Sequence, residues 1–208
     1  MSAASKFRLH DRWSLFAVSA AAITLASLWI LLRYGDPEGV RLVIRVTART
    51  SLLFFTLAFT ASALMRLLPS AMTRWQARNR RYLGLIFAYS HFVHLAAIVA
   101  LAVNSPALFK SLSNPVTIGT GALAYLFIAL MAVTSFSAPR RWIGEGAWAW
   151  LHWSGGWYIW ISFLVATGKR AVHDPFYIPF VAVVGLILAL RMIAGTPNGA
   201  TEFFAASR

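Results

Sequence analysis

The sequence predicts an all-α integral membrane protein, a six-transmembrane-helix bundle with both termini cytoplasmic. Three features predict this fold class: the composition, the length of the apolar runs and the placement of Lys and Arg. Of the 208 residues, 59% are apolar and 12% are charged, and the mean hydropathy is +0.67. Because average soluble domains carry about a quarter charged residues, lipid is the solvent expected around a chain this apolar.

Apolar runs of helical length define the predicted membrane spans. A bilayer core about 30 Å thick is crossed by roughly 20 helical residues. The first run follows Lys6, Arg8 and Arg12, as a secretory signal would, but its length and the Arg33 that ends it favour a retained helix. A single transmembrane domain is expected over residues 1–208. Its helices are predicted at approximately 13–32, 46–66, 82–104, 116–137, 147–168 and 175–194.

The basic residues predict the orientation of the bundle. The chain carries 19 Lys and Arg against 6 Asp and Glu, a net charge of +13. With six spans, 12 of the 19 basic residues fall on the side of the two termini and 7 on the other. The cytoplasmic side of a membrane protein carries the excess of Lys and Arg, so both termini are expected in the cytoplasm, with the protein in the inner membrane. Anionic lipid headgroups, rather than nucleic acid, are the expected partners of this charge.

Several classes of chemistry are excluded by what the sequence lacks. With no cysteine, the chain has no disulfide, thiolate metal site or cysteine nucleophile. No Gly-rich phosphate-binding loop is present, so any NAD(P)H or flavin chemistry would require a separate chain. No Asp or Glu lies in any predicted span, which disfavours a small-molecule transporter.

Three histidines are the ionisable candidates predicted at membrane depth. A histidine there is costly unless partnered, so it indicates function, although a simple hydrogen bond to a neighbouring helix is the alternative. His94 lies 13 residues past Arg81 and His152 lies 11 past Arg141. Both are then roughly 16–20 Å from basic anchors on parallel helices, a placement that suits two axial haem ligands. His91, 10 residues past Arg81, matches the depth of His152 equally well, so spacing leaves the choice between His91 and His94 open.

Two glycines follow His152 on the same helix face. Gly155 and Gly156 lie three and four residues beyond it and leave a patch without side chains. Such a patch could accept a flat porphyrin, and close helix packing through small residues is the equal alternative. Six of the nine tryptophans lie between residues 142 and 160, and some of them belong to the interfacial belt. Trp153, Trp157 and Trp160 lie deeper, where packing on a cofactor and packing in the core are the alternatives.

Three helices resemble those of the ferric reductase-like transmembrane domain family. The likeness spans residues 45–168 and is strongest on the third helix, in residues 80–85 (RRYLGL) and 90–95 (SHFVHL). The second helix, from Ala48 to Phe59, and the Leu151-His152 pair on the fifth are also similar to the family. Members of this family are six-helix proteins that bind b-type haem and pass electrons across the membrane. They include the stand-alone haem-binding membrane subunit of the periplasmic methionine sulfoxide reductase system.

The resemblance implies a haem b electron-transfer subunit. It makes His94 and His152 the axial ligands of the haem iron. Two-haem members of the family carry a further histidine 13 or 14 residues along each helix, and here those positions hold no histidine, so one haem is implied. The positions are Ala107, Leu108, Val165 and Ala166. His173, in the last outer loop, is the one spare histidine on that face, and His10 is expected in a solvated tail.

The implied electron donor is a separate cytoplasmic flavin reductase or quinol, and the implied acceptor is a periplasmic oxidoreductase or a metal ion. The basic cluster from Arg74 to Arg81 is a candidate docking surface for the donor, with topology-setting charge as the alternative. A haem-free structural or assembly protein that keeps the family fold is the second function considered. The sequence leaves open whether the chain is itself an enzyme, because it carries no NAD(P)H or FAD domain.

Overall fold

The computed structural model describes residues 12–195, and within this range the chain is helical, with no β-strand. His10, Lys6, Arg8 and Arg208 lie outside the described residues. The long helices are α1 (Arg12–Tyr34), α2 (Glu38–Leu67), α3 (Ala71–Asn104), α5 (Pro115–Val133), α7 (Glu145–Ala171) and α8 (Ile178–Ile193). Shorter elements are α4 (Pro106–Leu112), α6 (Ser137–Ile143) and a 3-10 turn (Pro175–Tyr177) before α8.

Five helical segments of the described chain are long and apolar enough to cross a membrane. They are α1, α2, α3, α5 and the segment Pro175–Ile193 that contains α8. The all-α class and several membrane-suited helices are therefore confirmed. The helix α7 has 27 residues, but its tryptophans, glycines and His152 lower its hydropathy, and it is not among the five.

Two helices begin earlier than the sequence predicts. Polar side chains initiate α3 at Ala71, because Thr73 Oγ1 accepts from the backbone N–H of Ser70 (2.9 Å) and Ser70 Oγ accepts from that of Thr73 (3.2 Å). The basic cluster from Arg74 to Arg81 is consequently helical rather than part of a loop. The helix α2 begins at Glu38, whose carboxylate suits a helix N-terminus and pairs with Arg41 at 2.9 Å.

The predicted fourth span is followed by a separate helix. The helix α5 ends at Val133, and α6 covers Ser137–Ile143. Between α6 and α7 stands Gly144, with φ of +80°, a backbone conformation that glycine adopts without strain. The turn at Gly144 separates Arg141 from the helix that carries His152.

The chain divides into two compact units, and each is described by itself. The first contains described residues 12–58 and 78–113. Its hydrophobic core joins the end of α1, the start of α2 and the end of α3. Gly39 allows the backbones of α1 and α2 to approach closely, since a Cβ there would lie 3.2 Å from the Ile30 carbonyl oxygen. The buried core residues are Ile30, Val40, Val43, Ala97 and Leu101.

The second unit contains residues 59–77 and the described residues after 113. Here α7 packs against α5 and α8. The indole N–H of buried Trp160 donates to the carbonyl oxygen of Val184 on α8 (3.0 Å), which satisfies a polar group in the core. Arg191 on α8 donates to the carbonyl oxygen of Phe59 (2.9 Å), and its guanidinium lies 4.0 Å from the centroid of the Phe59 ring.

Candidate functional site

His94 is held by the backbone of the neighbouring helix in the first unit. Its Nδ1 lies 2.9 Å from the carbonyl oxygen of Ile44 and 3.2 Å from Thr47 Oγ1. A carbonyl oxygen can only accept a hydrogen bond, so Nδ1 carries the proton and donates it. This tautomer leaves the lone pair on Nε2, the arrangement that metal-ligating histidines have when the other ring nitrogen is bonded to a carbonyl.

A short series of hydroxyls fixes the register between α2 and α3 near His94. Buried Ser51 donates to Ser90 Oγ (3.0 Å), and Ser90 donates to the carbonyl oxygen of Thr47 (3.1 Å). Thr47 and Ser51 are one turn apart on α2, as Ser90 and His94 are on α3. Small polar residues allow close helix approach in membranes and bond across the interface, so they place His94 beside Ile44.

His91 lies one turn before His94 and packs among rings. Its ring centroid is 5.3 Å from that of His94 and 5.4 Å from that of Phe87. The i, i+3 spacing brings both histidines to one face of α3, as the sequence predicts. The hydrogen bond to Ile44 is a direct sign of a fixed tautomer at His94, and it favours His94 over His91 as a metal ligand.

His152, in the second unit, contacts the side chains of Thr134 and Trp148. Its Nε2 lies 3.2 Å from Oγ1 of buried Thr134 at the end of α5. The Thr134 hydroxyl lies 2.7 Å from the Leu130 carbonyl oxygen and donates to it, so its oxygen accepts from Nε2–H of His152. The lone pair then lies on Nδ1. Ligation through Nε2 instead would require His152 to break its hydrogen bond to Thr134 and bind the metal with that nitrogen.

The helix expected to run from Arg141 to His152 is interrupted at Gly144. His94 and Arg81 share the continuous helix α3, so their separation is about 20 Å along one axis. His152 can be measured only from the start of α7, seven residues earlier at Glu145, or about 10 Å. His94 and His152 belong to different units. Their pairing therefore depends on the family resemblance and not on matched depth.

Gly155 and Gly156 are both buried against side chains of the second unit. A Cβ at Gly155 would lie 2.6 Å from Met131 Sδ and 3.0 Å from Phe127 Cδ1. A Cβ at Gly156 would lie 2.7 Å from Phe59 Cε2. These contacts support the close-packing interpretation of the two glycines, because α2 and α5 side chains cover the surface that they expose on α7.

Sequence reasoning missed the residues that hold the histidines. Thr47 and Thr134 each donate to a carbonyl one turn earlier, as most helical threonines do, so nothing in the sequence singles them out. Trp148 was accessible to prediction: it stands four residues before His152, and the two ring centroids lie 4.6 Å apart. The spare His173 is exposed in the turn before α8.

Among residues 12–195, no three His, Asp or Glu side chains are grouped so that together they could hold a metal ion. Comparisons with family models, curated proteins and solved structures found no match to this chain.

Proposed function

We propose that this protein is a haem b membrane subunit that passes electrons from a cytoplasmic flavin reductase or quinol to an outer-face acceptor, either a periplasmic oxidoreductase or a metal ion. In this proposal His94 and His152 would hold the iron of one haem. The observation that carries it is the hydrogen bond from His94 Nδ1 to the Ile44 carbonyl, which leaves the Nε2 lone pair for a metal. The resemblance on the second, third and fifth predicted spans supplies the identity of the cofactor.

The proposal includes six membrane spans with both termini in the cytoplasm. The span that must be added to the five is α7, the fifth in chain order, whose 27 residues give a length of about 40 Å, more than a bilayer core requires. Its tryptophans are typical of the membrane interface, and Lys169 and Arg170 in its last turn can extend to headgroups. The distribution of Lys and Arg supports the proposed orientation, and the proposal includes an inner-membrane location.

The two histidines fit a haem iron to different degrees. His94 has a tautomer that suits ligation through Nε2, while His152 suits ligation through Nδ1 or would give up Thr134. When bound, haem supplies reversible one-electron chemistry at iron, and two imidazole ligands leave no coordination site for oxygen. The chain's own part is to hold the two imidazoles in fixed orientations and to exclude water from them.

An open groove on the first unit is compatible with quinol as one of the two candidate donors. It has a volume of about 500 Å³, within the usual range of small-molecule sites, and a largely apolar lining that includes Leu28 and Val93. A Thr24–Tyr89 hydroxyl pair provides polar groups in it, and Asp36 and Asn104 also line it. Comparing haem reduction by a short-chain quinol with reduction by a flavin reductase would distinguish the donors.

The direct test is the colour and haem content of the purified full-length protein. We expect a red preparation with a low-spin b-type spectrum and one haem per chain in a pyridine haemochrome assay. A preparation that stays colourless after expression with ample haem would contradict the proposal and favour the haem-free structural or assembly protein. Two haems per chain would contradict the single site.

A further inference from the structure

The open groove on the first unit has apolar walls and opens where lipid is expected. It lies between α1 and α3, beside the start of α2, and its volume is about 500 Å³. Its walls include Leu28 and Leu31 of α1 and Val93 and Ala96 of α3. Leu28 is 50% exposed and Leu31 is 37% exposed, and both belong to a helix that is long and apolar enough to cross a membrane. Membrane lipid therefore has direct access to the groove.

The groove is elongated along the helix axes. Its lining on α3 runs from Tyr89 to Asn104, which is about 22 Å of helix. On α1 the lining runs from Thr24 beyond the helix end at Tyr34 to Asp36. Since a bilayer core is about 30 Å thick, the groove has the length of a hydrocarbon chain that begins at the interface and reaches past the middle of the membrane.

The hydroxyl groups at the Tyr89 end of the groove are satisfied by the protein itself. Thr24 donates its hydroxyl hydrogen to the carbonyl oxygen of Ala20 (2.9 Å), so Tyr89 is the donor in the contact between the two hydroxyls. Ser27 donates to the carbonyl oxygen of Ile23 (2.7 Å). A hydrocarbon chain can therefore occupy this end without leaving any of these three donors unpaired.

The opposite end of the groove is electronegative. Asp36 and Asn104 line it, and neither side chain forms a hydrogen bond or an ion pair with another residue between 12 and 195. The helices α1 and α3 both end here, at Tyr34 and Asn104, and the last carbonyl groups of a helix carry partial negative charge. A cation with N–H donors is therefore the group that suits this end.

The arginines closest to this end in the sequence leave its negative charge in place. Arg33 follows the groove residue Leu31 by two positions, which puts it on the opposite side of α1 from the groove. Arg41 donates to the carboxylate of Glu38 (2.9 Å). The helix α3 has no basic residue in its last turn. A ligand headgroup would accordingly meet the carboxylate of Asp36 first.

We propose that this groove binds phosphatidylethanolamine from the surrounding bilayer, with the ammonium on Asp36 and Asn104 and one acyl chain along α3 toward Tyr89. The ammonium donates to the Asp36 carboxylate and to the side-chain oxygen of Asn104, and such charge-assisted hydrogen bonds are stronger than neutral ones. The headgroup provides the selectivity, because the acyl chain only exchanges one apolar environment for another. This inference goes beyond the proposed electron-transfer function. A quinol carries no cation, and its binding instead is one outcome of the test.

The headgroup contact is tested by native mass spectrometry of the full-length protein in mild detergent. The protein is incubated with equal amounts of phosphatidylethanolamine and phosphatidylglycerol that have identical acyl chains. Wild type should retain about twofold to fivefold more phosphatidylethanolamine, the size expected of one exposed charged contact. Asp36→Asn removes the charge at nearly constant size and should abolish this preference. The matched control is Asp174→Asn, the same exchange at an exposed turn whose bond to the Phe176 N–H an Asn can keep, and it should retain the preference.

A second pair of variants tests the apolar part of the groove. Ala96→Phe places a ring among the groove walls, so both lipids should lose most of their binding while their ratio stays the same. Val99→Phe is the control, because Val99 is an exposed residue of α3 outside the groove. It should retain both lipids as wild type does. Thermal unfolding of the two Phe variants shows whether both are folded.

Each contrary result points to a specific failure. Equal retention of the two lipids by wild type, or an unchanged preference in Asp36→Asn, would overturn the proposal. Equal loss of lipid in Ala96→Phe and Val99→Phe would indicate a general lipid coat instead of a site. Retention of a short-chain quinol and of neither lipid would assign the groove to the quinol and also overturn the proposal. None of these measurements depends on haem, so they stand whether or not the proposed function holds.

Discussion

The surroundings of His94 and His152 differ in the kind of group that holds each ring. His94 donates to a main-chain carbonyl on α2, whereas His152 contacts two side chains, Thr134 and Trp148. The backbone carbonyl at position 44 remains in place whichever side chain that position carries, but a side-chain partner is lost with one substitution. The comparison teaches that the two candidate ligands are not equivalent. A backbone carbonyl determines which ring nitrogen of His94 carries the proton, whereas the contacts of His152 with Thr134 and Trp148 depend on the identity of those two side chains.

Removing either imidazole should have the largest effect. His94→Ala and His152→Ala would each leave the iron with one ligand, so most haem should be lost, or the remaining haem should be high-spin and bind carbon monoxide. His91→Ala is the matched control on the same face of α3 and should keep a low-spin spectrum. Haem content and carbon monoxide difference spectra give the answer. Loss of haem in His91→Ala with haem retained in His94→Ala would show that His91 is the ligand.

Filling the glycine contact on α7 should reduce stability in the His152 unit. A Cβ at Gly156 meets the buried Phe59 ring, which also lies under Arg191, so Gly156→Ala should cost about 1–3 kcal/mol of unfolding free energy by overpacking. Gly168→Ala on the same helix has open space around its Cβ and should be neutral or stabilising. Thermal unfolding of the detergent-solubilised protein measures both. Equal stabilities would contradict the packing contact.

The two threonines test the comparison between the ligands directly. Thr134→Val tests ligation of His152 through Nδ1: it removes the hydroxyl that accepts from Nε2–H and, for that mode of ligation, should weaken haem retention about tenfold, as loss of an outer-shell partner does. Thr47→Val removes one contact from His94 but leaves the bond to Ile44, so haem retention should change much less. Transfer of haem to a scavenging protein gives the retention, with Thr134→Ser as the control that keeps the hydroxyl. The reverse order of the two valine variants would contradict the contrast between backbone and side-chain support.

The smallest effect is expected at the basic face of α3. Arg74 and Arg78 are exposed one turn apart, so their side chains project from one side of the helix. Exchanging both for Glu should slow haem reduction by an acidic flavoprotein at low salt and have little effect at high salt, because long-range attraction is screened. Stopped-flow reduction rates across a salt series measure this. A slowing that persists at high salt would indicate misinsertion instead of lost attraction.

The length and periodicity of the apolar runs, together with their lack of charged residues, were sufficient to predict the helical class and the membrane-suited segments. The apolar run after Trp13 forms a helix near its predicted bounds, and α3 ends at Asn104 as predicted, because the length of an apolar run is a local property of the sequence. The N-terminal extension of α3 was missed because an Arg-rich stretch looks like a loop, although Ser70 and Thr73 can initiate a helix there.

The surroundings of the histidines could be predicted only in part. The spacing of Trp148 and His152 is visible in the sequence, but the contacts of His94 with Ile44 and of His152 with Thr134 depend on how separate helices pack. The turn at Gly144 also could not be read from hydropathy, since a single positive φ ends α6 and begins α7 without a change in composition. For that reason Arg141 and His152 were wrongly expected on one continuous helix.

Near-infrared magnetic circular dichroism of the oxidised wild-type protein tests the central claim most directly, because this spectrum identifies the axial ligand pair of a low-spin haem. The account predicts the signature of two imidazole ligands, retained in His91→Ala and lost in both His94→Ala and His152→Ala. A wild-type signature of one imidazole with a different second ligand would contradict the account. So would a signature of two imidazole ligands that persists in either His94→Ala or His152→Ala.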